Sequence, residues 1–298
     1  MRRVLIPLAL ALLLLSTLII NSVSAQQNTK AGPAARPNFS PWNPPVSKGM
    51  GDVDAGIECP LSEVLTGTGA RIEELVDNLQ KFDATESLEH YNVTGATLRG
   101  KPKTRVFDYV AIITLSEPGR FELDEYRNGR VDPSQFPANI ATTGLAAMAL
   151  MFHPTLVSDF QLTCEGLGQW GGHPAWQLQF AQRPDRPNRL RAYAVGRLYH
   201  PLSLRGRAWI DPKSYQVWHL ESDLTKPMPE IRLSVEHIAI DYGPVTFQSR
   251  GQQLWLPIDA KIYWERNKRR FYRHHSFSNF KMFEVDSNQQ IQTPKKPD

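Results

Sequence analysis

The stretch Tyr215 to Leu224, YQVWHLESDL, sets His219, Glu221 and Asp223 at every other position. Alternate residues of an extended chain share one face, so this spacing would gather an imidazole and two carboxylates. Such a trio suits general acid–base work or part of a metal's ligand set. It is equally what the solvated face of a half-buried strand looks like, with His219, Glu221 and Asp223 outward beside Tyr215 and Val217, and Trp218, Leu220 and Leu224 inward. The remaining residues favour the solvated face. The eight histidines include no His-Glu-x-x-His and no His-x-His, and alternation splits the doublet His274-His275 between opposite faces. There is no Gly-x-Ser-x-Gly elbow and no phosphate-cradling glycine loop, and Glu86, Glu89 and His90 stand in a strand where acids are readily solvated. The expectation is a protein that is not an enzyme and has no metal or cofactor. A hydrolase of unassigned chemistry is the alternative that stays open.

The elements that would position these residues begin with an export signal. Arg2 and Arg3 precede an apolar run from Val4 to Ile20, and Val23-Ser24-Ala25 offers a cleavage site after Ala25. The competing reading is an uncleaved anchor, since the run approaches the shortest length that spans a bilayer. Either way the chain is periplasmic or secreted. The 298 residues carry a formal charge of only +4, two of them from Arg2 and Arg3, so nucleic acid is not an expected partner. Cys59 and Cys164 are the two cysteines; outside the cytosol they are expected to form one disulfide, with two buried thiols as the alternative.

Composition divides the chain into a signal peptide (1–25), a Pro/Gly-rich disordered linker (26–56), a folded domain (57–286) and a disordered tail (287–298). In the domain, Ile72, Leu75, Val76 and Leu79 repeat at helical spacing, while Gly67 and Gly69 interrupt the preceding turn. A hairpin follows, in which Phe107 to Leu115 alternates and Pro118-Gly119 turns into Phe121 and Leu123. A second helix is predicted over Asn139 to Phe152, ending before Pro154 and apolar on nearly every side, hence buried. The rest reads as strands, with a one-residue slip in apolar phase after Glu236 of the kind a β-bulge produces. About ten or eleven strands joined by short loops imply a mainly β (α+β) fold, a large antiparallel sheet that must curl.

The order of elements, together with Phe82-Asp-Ala84, Gly95 or Gly100, Pro118-Gly119-Arg120-Phe121, GRAWIDPKSYQVWHLE (206–221) and Leu254-Trp-Leu-Pro257, resembles the LolA-like superfamily of periplasmic lipoprotein carriers and regulators. The resemblance covers roughly residues 61 to 285. It implies a half-open β-barrel, with an N-terminal amphipathic helix and one buried helix, that holds acyl chains or a protein partner without catalysis. Two positions depart from the carrier pattern: Glu117 replaces an arginine, and Asn128-Gly129 replaces Asp-Gly.

The expected function is an exported binding protein, a monomer, that holds a lipid or acylated ligand, or a lipoprotein, in the concavity of the sheet. Leu145, Ala147, Met148, Ala149, Phe152 and Trp218 are the expected cavity lining. An adaptor or sensor with a filled core, binding an envelope protein, is the alternative. Finally, Trp264 to His275 concentrates Arg266, Lys268, Arg269, Arg270 and Arg273 against Glu265. These are either hydrated cations of a hairpin tip or a basic lip for a membrane surface or an acidic partner.

Overall fold

The structure, a computed structural model, describes residues 53–54, 56–79, 81–117, 120–129, 132–186, 188–247 and 251–282. The signal segment, most of the linker, the Pro118-Gly119 turn and the tail beyond residue 282 lie outside the described residues. Among those described, no helix is long and apolar enough to cross a membrane.

One helix, α1 (Leu61–Asn78), opens the fold and buries Val64, Ile72, Leu75 and Val76. It runs unbroken through Gly67 and Gly69, which serve close packing rather than a break. A Cβ on Gly67 would sit 2.5 Å from the Tyr215 ring, and one on Gly69 would press on the carbonyl of Phe152 at 3.4 Å. Ten strands then form one antiparallel sheet: β1 (Lys81–Thr94), β2 (Thr97–Glu117), β3 (Arg120–Arg127), β5 (Phe160–Trp170), β6 (His173–Gln182), β9 (Leu204–Ile210), β10 (Val217–Leu224), β11 (Leu233–Phe247), β12 (Gln252–Arg266) and β13 (Arg269–Met282). Their order is β3-β2-β1-β13-β12-β11-β10-β9-β6-β5. The last strand therefore pairs with the first, and the sheet curls without closing. Strand twist accumulating over so many strands makes a flat sheet unfavourable.

Three short strands, β4 (Ala141–Thr143), β7 (Ala192–Val195) and β8 (Leu198–Pro201), form a separate small sheet. They pack over β1 and β2 through a cluster of Leu88, Phe107, Phe136, Ala141 and Ala194. The segment predicted as a second α-helix is therefore divided. Residues 141–143 pair with β7, Gly144 turns left-handed (φ 81°), and only Met148–Phe152 coils, as a 3-10 helix. The physical reason is local length. Between the turn at Gly144 and the stop at Pro154 too few residues remain to repay helix nucleation, so tertiary pairing prevails. Its apolar part is nevertheless buried from Ile140 to Leu145 and from Ala147 to Phe152, as its composition requires.

The disulfide joins Cys59 to Cys164 and pins the start of α1 to β5. Just before it, the amide of Asp54 bonds the carbonyl of Leu167, so the last part of the linker adds to the free edge of β5. The phase slip expected after Glu236 occurs slightly earlier, between Leu233 and Val235, and a second lies between Asp241 and Tyr242.

Candidate functional site

The concave face is the candidate site, and it is covered. From β10 to β12 it presents Leu220, Ile238, Ile240, Ala260, Ile262 and Trp264, all fully buried. Against them lies the segment 133–159, built from 3-10 turns at Pro133–Gln135, Pro137–Asn139, Met148–Phe152 and Val157–Asp159, together with β4. Five of the six expected lining residues, Leu145, Ala147, Met148, Ala149 and Phe152, are on this cover, each no more than 5% exposed within the core. The sixth, Trp218, is not. A register shift between Val217 and His219 places a bulge at Trp218, which sends Val217 into the core and leaves the indole half-exposed beside His173. A bulge adds one residue and so reverses the alternation on its far side.

The cover is held by buried charged side chains as well as by apolar contact. Arg273 Nη2 donates to the carbonyl of Pro137 at 2.7 Å, and its Nη1 to Thr142 Oγ1 at 3.1 Å. Arg191 Nη1 donates to the carbonyl of Thr143 at 3.0 Å, while its Nη2 meets Glu236 Oε1 at 2.6 Å. Glu125 accepts from the amide of Gly144 at 2.7 Å and from the Tyr109 hydroxyl at 2.5 Å. Phe136 stacks on Phe107, with its ring between the guanidiniums of Arg127 and Arg273 at 5.6 and 5.7 Å. Beneath it Arg127 grips Glu86 through Nε at 2.5 Å and Nη2 at 3.1 Å, and His275 Nδ1 donates to the same carboxylate at 2.7 Å.

The titration behaviour follows from these contacts. Burial alone would raise the Glu86 pKa, but Arg127 and His275 outweigh it and hold the carboxylate at about 2. Burial depresses His275 to about 4 despite Glu86, so it is a neutral donor at physiological pH. Arg273 is lowered to about 9, chiefly by burial and by nearby Arg127. Among the described residues no carboxylate pairs with it, and Trp264 presents its ring to the guanidinium at 4.7 Å.

The sequence reading assigns Arg273 to a basic surface strip and Glu86 to solvated strand acids, and it does not foresee the network that joins them. The signal was present in the alternation, since Arg273 and His275 share parity with Phe271 and Phe277, and Glu86 and His90 with Ala84 and Leu88. Among the basic residues, Arg273 is thus interior, not part of a surface lip. Arg266 is tied to the carbonyls of Ile231 and Ala138, and Arg270 to Glu265 and to the carbonyl of Gly95. Lys268 and Arg269 are exposed at the tip.

The trio on the convex face behaves differently from both sequence readings. His219 and Glu221 are buried, at 3% and 6% exposure, because Trp170 from the β5–β6 turn stacks on the imidazole at 3.7 Å. His219 Nδ1 bonds Asp241 at 2.7 Å and Nε2 bonds Glu221 at 3.1 Å. Asp223 turns instead to His237, at 2.8 Å. Burial would lower the His219 pKa, but the two carboxylates outweigh it and leave it raised. With both ring nitrogens donating, the imidazolium is a charged tie between β10 and β11, and neither nitrogen is left to take a substrate proton. Among the described residues, no group of three or more His, Cys, Asp or Glu side chains is arranged to hold a metal ion.

Two hollows flank the cover. One of about 640 Å³ runs along the outer edge of β3, lined by Leu123 to Tyr126, by residues 188–192 and by Tyr199 and Pro201 of β8. A smaller one, about 170 Å³, lies between α1 and the sheet and reaches Ala149, Tyr242 and Leu254.

No family model matches the sequence, and no curated protein matches it. Among solved structures, a DUF1329 family protein from Desulfovibrio piger is 11% identical with a TM-score of 0.45, covering 77% of this chain and 95% of its own. An outer membrane lipoprotein-sorting protein domain from Vibrio parahaemolyticus is 8% identical with a TM-score of 0.43, covering 75% of this chain and 92% of its own. Similarity at this level concerns the general course of the chain, and the site has to be interpreted from its own geometry.

Proposed function

We propose that the chain is an exported, non-catalytic binding protein that takes a lipid or acylated ligand against the concave face of its sheet, with segment 133–159 as the removable occupant of that face. The observation that carries this reading is the nature of the cover. A permanent core layer is ordinarily a helix or sheet whose backbone bonds are internal, whereas here short 3-10 turns lean on side chains of the sheet, Arg273 and Arg191 among them. Leu145, Met148 and Phe152 supply the apolar surface that an acyl chain would replace. The hollow along β3 has the volume of a typical ligand pocket and lies where Glu125 secures the cover at Gly144, so displacement would begin there.

Native mass spectrometry of the protein purified from its own cell envelope tests the reading. A bound lipid or acylated species, lost on denaturation, is the expected result; a mass equal to the bare chain in repeated preparations would sink it. The adaptor reading has its own support, since Leu145, Ala147, Met148, Ala149 and Phe152 are packed to 5% exposure or less. In that case a co-purifying envelope protein, and no lipid, would be found.

A further inference from the structure

The half of β2 that β3 leaves uncovered is unusually cationic. β3 pairs with residues 109–117 of β2, and Asn128 bonds both backbone groups of Asp108, so the stretch from Thr97 to Phe107 forms an open edge. It carries Arg99, Lys101, Lys103 and Arg105, one at every other position and all exposed. The neighbouring β12–β13 turn adds exposed Lys268 and Arg269, where left-handed Asn267 and Lys268 make a tight reversal. The two turns are fastened together, because Arg270 Nη1 donates to the carbonyl of Gly95 at 3.3 Å and Arg270 also engages Glu265.

Among the described residues, none of the six exposed cations is paired with a carboxylate. Six charges exceed the +4 of the entire chain, so the remaining residues sum to a net negative charge. Basic residues and Pro102 on an open strand also discourage edge-to-edge pairing. That accounts for a cation or two, but not for a regular run that continues onto an adjacent turn.

We infer that this strip, Arg99 to Arg105 with Lys268 and Arg269, is a docking surface for an anionic lipid bilayer. The strand portion lies opposite Leu88 to Asn92 of β1 and extends roughly 13 Å, and neither the hollow beside β3 nor the one beneath α1 is lined by any of the six residues. Long side chains spread along an edge, without a hollow, match a plane of laterally mobile charge better than one small anion. The inference is independent of what the concave face holds.

Co-sedimentation of the full chain with vesicles tests it. The protein should bind equimolar phosphatidylcholine–phosphatidylglycerol vesicles, not phosphatidylcholine alone, and be released as salt shortens the screening length. Each cation near such a surface contributes on the order of a fivefold change in partitioning. Lys101→Ser, Lys103→Ser, Lys268→Ser and Arg269→Ser together should therefore weaken binding at least a hundredfold at unchanged melting temperature. Should that variant fail to fold, K268E with R269E alone should still weaken binding at least tenfold. Equal binding to both vesicle types, no binding at low salt, or undiminished binding by these variants would overturn the inference. So would retention on polyaspartate without vesicle binding, which would assign the strip to an acidic protein.

Discussion

Arg273, on the concave side of β13, donates to the main-chain carbonyl of Pro137 at 2.7 Å, so a fully buried cation of the sheet holds the segment that covers it. Hydrogen bonds from a charged donor in a dry setting contribute more than neutral ones, but this guanidinium also bears its own desolvation, and among the described residues no carboxylate is bonded to it. The cover is thereby fastened at a point of small net stability.

Replacing Arg273 by Met should release the cover before it unfolds the sheet. Losing the bonds to Pro137 and Thr142 is expected to cost about 2 kcal/mol of local opening free energy. Amides of residues 138–143 should then exchange roughly thirtyfold faster, while those of β11 and β12 stay protected. Uniform acceleration across both would show that the cover is not a separate unit.

Ala147 is fully buried at the centre of the cover, with no hollow reaching its side chain among those beside the site. Ala147→Trp should overpack the ligand-free protein by about 1–3 kcal/mol or more. Measured together with bound lipid, the variant should melt lower and carry none. An unchanged melting temperature would mean that the space beside Ala147 is open.

Reduction, or Cys59→Ser with Cys164→Ser, should destabilise by roughly 4–5 kcal/mol on the loop-entropy model. The loop is long, with a sequence separation of 105 residues. Thiol labelling of the denatured, unreduced protein should find no free sulfhydryl. Two labelled cysteines would refute the pairing.

Stability should fall on both sides of neutrality, for different histidines. His219 and His274 are raised in the fold, the first by Asp241 and Glu221 against burial, the second chiefly by Asp259. Their contribution is complete below the unfolded value near 6.5 and is lost as pH rises through the folded one. His90 and His275 are lowered, mainly by burial, to about 3 and about 4. They act oppositely, and stability falls from about pH 6.5 towards those values. Glu86, held at about 2, extends the acid loss below about pH 4.5. Denaturant titrations across pH should show His219→Gln flattening the alkaline limb alone. An unaltered alkaline limb would exclude His219 as its source.

Much of the scaffold was legible in local pattern. The stripe of Ile72, Leu75 and Val76 gave α1, period-two alternation gave the long strands, and two cysteines in a chain read as exported gave the disulfide, because each signal depends on neighbours in the chain or on composition. The Gly67 and Gly69 positions were misread as breaks because the partners that need their bareness, Tyr215 and the Phe152 carbonyl, are distant in sequence. The candidate site was less legible. The parity of Arg273, His275 and Glu86 with buried neighbours lies in the alternation, yet the sequence reading puts Arg273 on a basic surface and Glu86 among solvated acids, and no local signal shows that Phe136 would lie near both Arg127 and Arg273.

Tertiary structure alone decided three further matters. Whether His219 and Glu221 meet water depends on Trp170, which arrives from another hairpin. Where Trp218 points depends on a bulge, which shifts phase without any sequence mark. Whether residues 139–152 coil as one helix depends on β7, whose pairing with 141–143 outcompetes a short helix's costly nucleus. Local propensity sets what each segment can form, and the segments that meet it in space determine which of those forms is kept.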